Sequence, residues 1–443
     1  MESSRLPRVL IVGAGFGGLA LARALRKEPV EVLLVDQNNY HQFQPLLYQV
    51  ATAGLEPEEI AHAVRDILQG ETNMRFRMGT VVNVDRPSKR VILEDGEALW
   101  YDYLVLAAGA TTNYFGVEGA QRHGFGLKTV EEAIALRSHI IQRFEDADQH
   151  PNHIPDGALT FVVVGGGPTG VEMAGALREL FEMVLAADYP DLDVDLARVV
   201  LVEATDRLLG GFHEDSSANA EETLRQRGVE VRLNERVVDA NAEAVELANG
   251  EVIPAHTLVW AAGIKAHPLA KALNVEQTGG GRLVVEADLR LPGEDAVFII
   301  GDLAGSVDEQ GELLPQVAPV AMQGGEHVAQ QILRLQGGQA TEAFQYRDKG
   351  MMATIGRHAA VAEIRLGKEV RTKGVIAWIM WLGLHLIMLI GFRNRLQVLV
   401  NWVWNYFTYD RSARLIMGDR RTAPKDRSVE PVVPEPTPEP ELA

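Results

Sequence analysis

The feature that most constrains this chain is a glycine-rich loop that occurs twice, each time between an apolar run and a segment with helical spacing. The first copy, GAGFGG, follows a short β-rich run, and its G-x-G-x-x-G spacing falls on Gly13, Gly15 and Gly18. Such a loop turns tightly, presents backbone N–H groups to a pyrophosphate and packs the next helix closely on the strand. A second β-rich run ends at Asp36, where a carboxylate binds the ribose hydroxyls of a dinucleotide.

The second copy, GGGPTG, has the same spacing at Gly165, Gly167 and Gly170, and its acid is Glu203. The interval before this acid is longer than usual, which predicts an extended helix or an insertion around residues 188–195. A glutamate here binds the ribose diol and repels a 2′-phosphate, so it favours NADH over NADPH. Arg207 lies close enough in sequence to weaken that preference.

The order of strand, loop, helix, strand and acid therefore recurs as an internal repeat. Two more apolar runs, YLVLAAG and TLVWAAG, follow the two loops at similar distances and end at Ala108–Gly109 and Ala262–Gly263. A further buried run, AVFIIGD, ends at Asp302, where ligands sit in open α/β sheets. The pattern predicts an α/β protein with two Rossmann-like dinucleotide-binding domains.

Two dinucleotide sites on one chain imply one tightly held redox cofactor and one exchangeable nucleotide. FAD and NADH form such a pair, because a flavin accepts a hydride and then reduces another acceptor. The alternative is a duplicated domain in which one copy no longer binds. We predict an FAD-binding domain over residues 1–115 and 286–340, interrupted by an NADH-binding domain over residues 116–285.

Composition excludes several other functions. The chain has no cysteine, which removes disulfide exchange, thiolate nucleophiles and cysteine-ligated iron–sulfur clusters. The same absence argues against a sulfide:quinone or disulfide reductase, and no metal site is predicted. The net charge of −19 argues against binding to nucleic acids, which requires clustered lysines and arginines.

With these residues established, the chain resembles the type II NADH:quinone oxidoreductases, which are two-domain flavoproteins. The resemblance extends from about residue 8 to residue 421, and its most specific stretch is NNYHQFQPLLYQVATAGLEPEEI, directly after Asp36. It implies that Pro45 and Leu46 lie against the isoalloxazine and that Asp302 binds the ribityl chain. It also implies that Glu172, in GGGPTGVE, lies near the contact between nicotinamide and flavin. The other interpretation is that Glu172 only complements the dipole of the second helix.

The segment that the family uses for its quinone differs here. Many members read A-Q-x-A-x-Q at the start of the helix at the flavin edge, whereas this chain reads APVAMQ from Ala318. Pro319 replaces the first glutamine and Gln323 matches the second. Proline is compatible with the first turn of a helix, but one donor to a quinone carbonyl is lost. Gln316 is a candidate replacement.

The C-terminal region differs in character from the rest. Residues 345–421 carry 13 Lys/Arg and 5 Asp/Glu, and residues 375–409 contain four of the six tryptophans. Residues 375–392 are at the lower length limit of a spanning helix, yet aromatic residues flanked by arginines suit a membrane surface. We expect residues 341–421 to bind the membrane without crossing it; a homodimer interface is the alternative. The Pro/Glu-rich residues 422–443 are predicted to be disordered.

The sequence thus predicts an FAD-dependent enzyme that oxidises NADH and reduces a membrane quinone without pumping protons. Residues 1–8 contain no charged-then-apolar leader, so a cytoplasmic protein is expected. The family resemblance implies a peripheral (monotopic) position on the cytoplasmic face of the cell membrane. Two alternatives remain. One is a soluble flavoprotein reductase or oxidase that uses ferredoxin or oxygen, and the other is a redox-sensing flavoprotein without turnover.

Overall fold

The computed structural model describes residues 5–408 and 413–417 of the chain. The strands are β1 (Arg8–Val12), β2 (Glu31–Asp36), β3 (Tyr40–Gln42), β4 (Ala61–Ala63), β5 (Met74–Met78), β6 (Val81–Asp85), β7 (Arg90–Leu93), β8 (Ala98–Trp100), β9 (Tyr103–Leu106), β10 (Ala110–Thr112), β11 (Thr160–Val164), β12 (Arg198–Val202), β13 (Val229–Arg232), β14 (Val237–Ala240), β15 (Ala244–Leu247), β16 (Val252–Pro254), β17 (Thr257–Trp260), β18 (Ile264–Ala266), β19 (Val297–Ile299), β20 (Gly350–Gly356), β21 (Ala359–Leu366) and β22 (Lys368–Lys373). The helices are α1 (Phe16–Ala24), α2 (Leu47–Ala51), α3 (Pro57–Ile60), α4 (Val64–Ile67), α5 (Glu118–His123), α6 (Val130–Gln149), α7 (Pro168–Leu180), α8 (Ala186–Asp188), α9 (Glu214–Gln226), α10 (Leu269–Ala272), α11 (Ala318–Gln336), α12 (Val375–Met388) and α13 (Phe392–Thr408).

The first parallel sheet has the strand order β19-β9-β1-β2-β5. The middle residues of its central strands are apolar because both sheet faces are covered, and Val9, Leu10 and Ile11 are fully buried. Strand β19 joins this sheet although it follows the whole second sheet in the chain. Because β19 pairs with β9, the residues after Ile299 lie next to the first glycine loop.

The second parallel sheet has the order β13-β12-β11-β17, which repeats the neighbours β5-β2-β1-β9 of the first. Each half also carries a three-stranded antiparallel insertion before its last shared strand, β6-β7-β8 in the first and β14-β15-β16 in the second. The antiparallel pair β10 and β18 links the two halves. The predicted fold of two Rossmann-like domains is confirmed.

The long interval before Glu203 is filled in both of the predicted ways. Helix α7 continues as a π-helical turn, Phe181–Leu185, which extends the helix. A loop containing α8 and the 3₁₀ turn Val194–Leu196 then leads into β12.

The C-terminal region consists of the antiparallel sheet β20-β21-β22 followed by α12 and α13. Strand β20 lies directly on α7, so closely that a Cβ on Gly175 would overlap the carbonyl of Ile355. The apolar run of residues 375–392 is not one helix, because α12 ends at Met388 and Gly391 takes a φ of 82° before α13 begins. Within the described ranges, none of the helices has the length and apolar character needed to cross a membrane. The predicted disordered tail, residues 422–443, lies outside the described residues.

Candidate active site

The two glycine loops share one geometry. Gly13 and Gly165 have φ values of 108° and 112°, which glycine alone adopts readily. Gly15 and Gly167 precede α1 and α7 directly, and a Cβ added to either would meet no protein atom within 4 Å. Each loop therefore leaves open space at a helix N-terminus, where backbone N–H groups and the helix dipole receive a pyrophosphate.

The carboxylate that follows the first loop is held beside it. The Oδ2 atom of Asp36 accepts a hydrogen bond from the Ala14 N–H at 2.6 Å, and Oδ1 accepts one from the Asn38 N–H at 2.7 Å. Burial raises the pKa of Asp36, and these two hydrogen bonds oppose the rise. The side chain is thus oriented at the carboxyl end of β2, in the position for a ribose contact.

Glu203 holds the equivalent place in the second domain. Its Oε2 accepts from the Gly166 N–H at 2.5 Å, and its Oε1 accepts from the backbone N–H and the hydroxyl of Thr205, both at 2.8 Å. Arg207 is directed into its own loop, since it donates to the Gly210 carbonyl at 3.0 Å. Arg207 therefore weakens the NADH preference of Glu203 less than its position in the sequence suggested.

One cavity of about 900 Å³ lies between the two domains and the inner face of α12. This volume is near the upper end of the range for ligand pockets, about 300 to 1,000 Å³, so it suits large ligands. The predicted site residues that line it are Gly13, Gly15, Asp36, Pro45, Ala108, Gly109, Glu172, Gly263, Asp302, Gln316 and Ala318.

Other predicted residues lie beside this cavity rather than in its wall. Gly18 is buried in the packing of α1 on β1. The second loop contributes Pro168 and Thr169 to the wall, while the remaining predicted members of the second domain do not line it. Those members are Gly165, Gly167, Gly170, Glu203 and Ala262.

Two predicted contacts have a different geometry in the structure. The side chain of Leu46 is fully buried in the core next to Pro45 and does not face the cavity. The amide of Gln323 is committed to the backbone of Arg347: its Nε2 donates to the carbonyl and its Oε1 accepts from the N–H, both at 3.0 Å. Gln323 is thus placed to fix the segment before β20, and the quinone contact that the sequence suggested for it gains no support.

Asp302 enters the cavity at the carboxyl end of β19. Its Oδ2 lies 3.7 Å from the Nζ of Lys128, and its backbone carbonyl accepts a hydrogen bond from Gln316 Nε2 at 2.9 Å. Gln316 therefore stabilises the segment that follows β19. Sequence reasoning missed Lys128, because a lysine this far from Asp302 in the chain carries no local signal.

Glu172 is the most perturbed acid in the cavity wall. It is the fifth residue of α7, just beyond the first turn, where the effect of the helix dipole has begun to fall off. Its side chain is 8% exposed, and its Oε1 accepts a hydrogen bond from the Thr354 N–H at 3.3 Å. Burial raises its pKa to about 8, while Thr354 and the nearby indole of Trp381 oppose the rise.

Trp381 and His385 lie on the inner face of α12, and His385 lines the cavity. The buried Trp381 indole lies near Glu172, although its N–H does not complete a well-formed hydrogen bond. The His385 ring stacks on it at a centroid distance of 3.9 Å, and its Nδ1 lies 2.7 Å from the Trp381 carbonyl oxygen. Burial lowers the pKa of His385 to about 4, so the imidazole is neutral. The sequence identified His385 only as the one polar residue of an apolar run.

The outer face of α12 and α13 is apolar and exposed. Phe392 and Phe407 are 82% and 74% exposed, and the same face carries Ile376, Ile379, Ile387, Leu396 and Val403. The inner face of α13 is polar and bound to the protein: Asn401 donates to Glu59, and Trp402 Nε1 donates to Gln49 Oε1 at 2.9 Å. This face is unusually apolar for a surface in contact with water.

These residues fit an FAD. The oriented Asp36, the open loop before α1 and the Asp302 carboxylate lie in one cavity, in the order in which a dinucleotide would cross the carboxyl ends of β2, β1 and β19. Within the described ranges, His, Asp and Glu side chains do not cluster in threes where a metal ion would bind. The fold and the site together define a dinucleotide-dependent flavoprotein oxidoreductase.

Comparison with known proteins narrows this class. Residues 7–325 match the pyridine nucleotide-disulphide oxidoreductase family, and residues 349–409 match the NDH2 C-terminal domain. The type II NADH:quinone oxidoreductase Ndh of Mycobacterium tuberculosis is 37% identical over 96% of this chain and 93% of its own length. The type II NADH:quinone oxidoreductase of Staphylococcus aureus is 32% identical over 83% and 91%. The chain belongs to the type II NADH:quinone oxidoreductase family.

Solved structures agree on the fold. NDH2 from Plasmodium falciparum, in complex with NADH, superposes with a TM-score of 0.84 at 18% identity, covering 94% of this chain and all of that one. The C-terminal sheet and helices are therefore part of the shared fold.

Proposed function

We propose that the chain oxidises NADH with FAD as its cofactor and reduces a membrane quinone without pumping protons, while it lies on the cytoplasmic face of the membrane. The observation that carries this proposal is the cavity itself. It joins the first glycine loop and the first turns of α7 to the inner face of α12, and the outer face of the same helix is apolar and exposed. Membership of the family supports the choice of both substrates.

The first domain would hold FAD and the second NADH. In the first, Asp36 would orient the adenosine ribose, the open space at Gly15 would receive the pyrophosphate, and Asp302 and Pro45, which line the cavity, would border the reactive ring. In the second, Glu203 binds the nicotinamide adenosine ribose and disfavours a 2′-phosphate. When bound, FAD supplies the ability to accept a hydride and release two electrons to a second substrate.

Around the reacting groups, side chains of the cavity wall would orient the substrates, and one of them would hold a proton. With a pKa of about 8, the Glu172 carboxyl is mostly protonated at pH 7, so it adds no negative charge where reducing equivalents arrive. It can also hold a proton at the cavity wall for a reduced product. Pro319 and Ala318 close the wall at the N-terminus of α11 without a glutamine donor.

The quinone would enter past α12. Leu384 is 44% exposed and also lines the cavity, so it marks the mouth on the apolar side of the protein. A hydrophobic substrate dissolved in a bilayer reaches this mouth without crossing water. Residues 375–392 carry no Lys, Arg, Asp or Glu that would move protons through the membrane.

An absorbance experiment tests the proposed activity. Purified holoprotein under anaerobic conditions should show a flavin spectrum that NADH bleaches and that a short-chain quinone restores. Ferredoxin and oxygen, tested separately, should restore it much more slowly. Bleaching without restoration by quinone would reject the quinone reductase, and faster restoration by ferredoxin would support the soluble alternative.

The apolar face requires its own test, because a homodimer would also cover it. Co-sedimentation with phospholipid vesicles measures membrane binding, and light scattering in detergent measures the oligomeric state. Binding to vesicles as a monomer or dimer supports the membrane surface. A dimer that buries this face and does not bind vesicles would contradict the proposed membrane contact.

A further inference from the structure

We infer that His385 recognises the reduced quinone, because its Nε2 atom presents a hydrogen-bond acceptor that only a hydroquinone can use. This inference rests on the proposed function and concerns the same cavity. It makes His385 a specificity residue that distinguishes product from substrate.

Two aromatic contacts determine the position of His385. Its ring stacks on Trp381, which is itself 1% exposed, and meets the ring of Phe43 edge-on at 6.0 Å. Phe43 directly precedes the Gln44–Leu46 turn, whose Pro45 lines the cavity. The remaining side of the imidazole faces the cavity, next to Leu384 at its mouth.

Hydrogen bonding determines the tautomer of this imidazole. The Trp381 carbonyl, 2.7 Å from Nδ1, can only accept, so Nδ1 must carry the proton. The ring is neutral near pH 7, as its lowered pKa requires. A neutral imidazole that is protonated at Nδ1 has a lone pair and no hydrogen at Nε2.

An acceptor at this place separates the two forms of the substrate. Quinone carbonyls accept hydrogen bonds but have no hydrogen to donate, so a carbonyl that faces Nε2 forms no hydrogen bond with it. Reduction adds two electrons and two protons; NADH delivers both electrons and one proton as hydride, and solvent delivers the other proton. The resulting hydroxyl groups can then donate to Nε2, so the contact forms only on the product side.

The two glutamines considered for the quinone, Gln316 and Gln323, are already bound within the protein. Gln323 is bound to Arg347, and Gln316 donates to the Asp302 carbonyl. The charged side chains Asp348 and Arg365 line the cavity but pair with each other. With Pro319 in place of a glutamine on α11, and with Gln316 and Gln323 bound elsewhere, these three positions offer no free donor to a quinone, whereas His385 keeps an acceptor for a hydroquinone.

The test compares the two redox forms in purified holoprotein. Equilibrium binding of a short-chain benzoquinone and of its hydroquinone is measured by quenching of tryptophan fluorescence, alongside the quinone KM and the hydroquinone inhibition constant. His385→Phe keeps a ring on Trp381 but removes the acceptor. We expect it to weaken hydroquinone binding about tenfold, in keeping with one hydrogen bond, while quinone binding changes less than about twofold.

Two further variants separate recognition from packing. His385→Gln supplies an amide oxygen and should recover part of the hydroquinone affinity. His358→Phe is the matched control, because His358 also contacts a tryptophan, Trp378, but does not line the cavity. It should bind both forms as the unchanged protein does.

The possible outcomes are distinct. If His385→Phe weakens quinone and hydroquinone equally, or neither, the inference is overturned while quinone turnover by the unchanged protein still supports the proposed function. If the unchanged protein binds and reduces no quinone, the proposed function and the inference fail together.

Discussion

The carboxylate of Glu172, on α7 of the second dinucleotide-binding domain, accepts a hydrogen bond from the backbone N–H of Thr354, on β20 of the C-terminal region, at 3.3 Å. Two parts of the chain that lie 182 positions apart thus meet at the cavity wall. The close packing of α7 on β20 makes this contact possible and removes Glu172 from water. A buried carboxyl with one backbone donor favours its neutral form.

Glu172→Gln should therefore alter the pH dependence of stability. The native pKa of Glu172, about 8, lies above the ordinary value of 4.5. Hence the unfolded state loses this proton first, and the residue's contribution to stability is full below pH 4.5 and is lost as the pH rises to about 8. We expect the Tm of the unchanged protein to fall over this range by roughly 5 °C more than that of Glu172→Gln, measured by circular dichroism. Glu58→Gln, at an exposed site, should follow the unchanged protein; parallel curves for all three would contradict the assignment.

Gly15→Ala and Gly18→Ala should have different effects: the first on flavin binding and the second on thermal stability. A Cβ on Gly15 meets no protein atom but enters the space for the pyrophosphate, whereas a Cβ on Gly18 overlaps the carbonyl of Gly13. Gly15→Ala should fold normally and lose more than half of its flavin on gel filtration, with recovery at high FAD. Gly18→Ala should lower the Tm by about 5 °C or more, and added FAD should not restore it. The flavin-to-protein absorbance ratio and thermal unfolding together measure both effects, and identical behaviour would refute the distinction.

Glu203→Gln should weaken the choice of NADH over NADPH. The carboxylate is held by Gly166 and Thr205, and its negative charge opposes a 2′-phosphate. We expect the KM for NADH to rise about tenfold and the ratio of kcat/KM for NADH to that for NADPH to fall at least about tenfold. Glu214→Gln is the control, since Glu214 is an exposed acid of the same region that touches only Arg207. An unchanged ratio in Glu203→Gln would show that selectivity arises elsewhere.

Phe392→Ser combined with Phe407→Ser should detach the protein from vesicles. Both rings are largely exposed on the apolar face of α13, and burying each in a bilayer is worth about 1.5–3 kcal/mol. The fraction bound in co-sedimentation should fall at least about tenfold, while NADH-dependent reduction of ferricyanide stays the same. Leu196→Ser, at an exposed site on the other domain, should bind as the unchanged protein does. Equal binding by all three proteins would rule out this face as the membrane contact.

Much of the cofactor chemistry was predictable because it depends on short-range sequence. A glycine loop, its strand, its helix and its acid lie within one βαβ unit, so spacing alone located Gly13, Gly15 and Asp36, and likewise Gly165, Gly167 and Glu203. The backbone φ values and the open space before α1 and α7 are direct consequences of those glycines. The repeat of strand order in the two sheets follows from the repeat of the pattern.

Other contacts in and around the cavity could not be predicted from short-range sequence. Lys128 meets Asp302, Trp381 comes near Glu172 and His385 reaches the cavity only after distant segments pack together. Gln323 matched a family pattern, yet its amide is bound to Arg347, because the segment before β20 needs a partner for its backbone.

What the sequence by itself determined is therefore a pair of dinucleotide sites and an apolar, tryptophan-rich C-terminus. Only the tertiary structure decided that one cavity joins them, that the apolar run breaks at Gly391 into two helices with one exposed face, and that His385 lines the cavity. The physical reason is that loop conformation is set by neighbours in the chain, whereas burial, pKa and hydrogen-bond partners are set by neighbours in space.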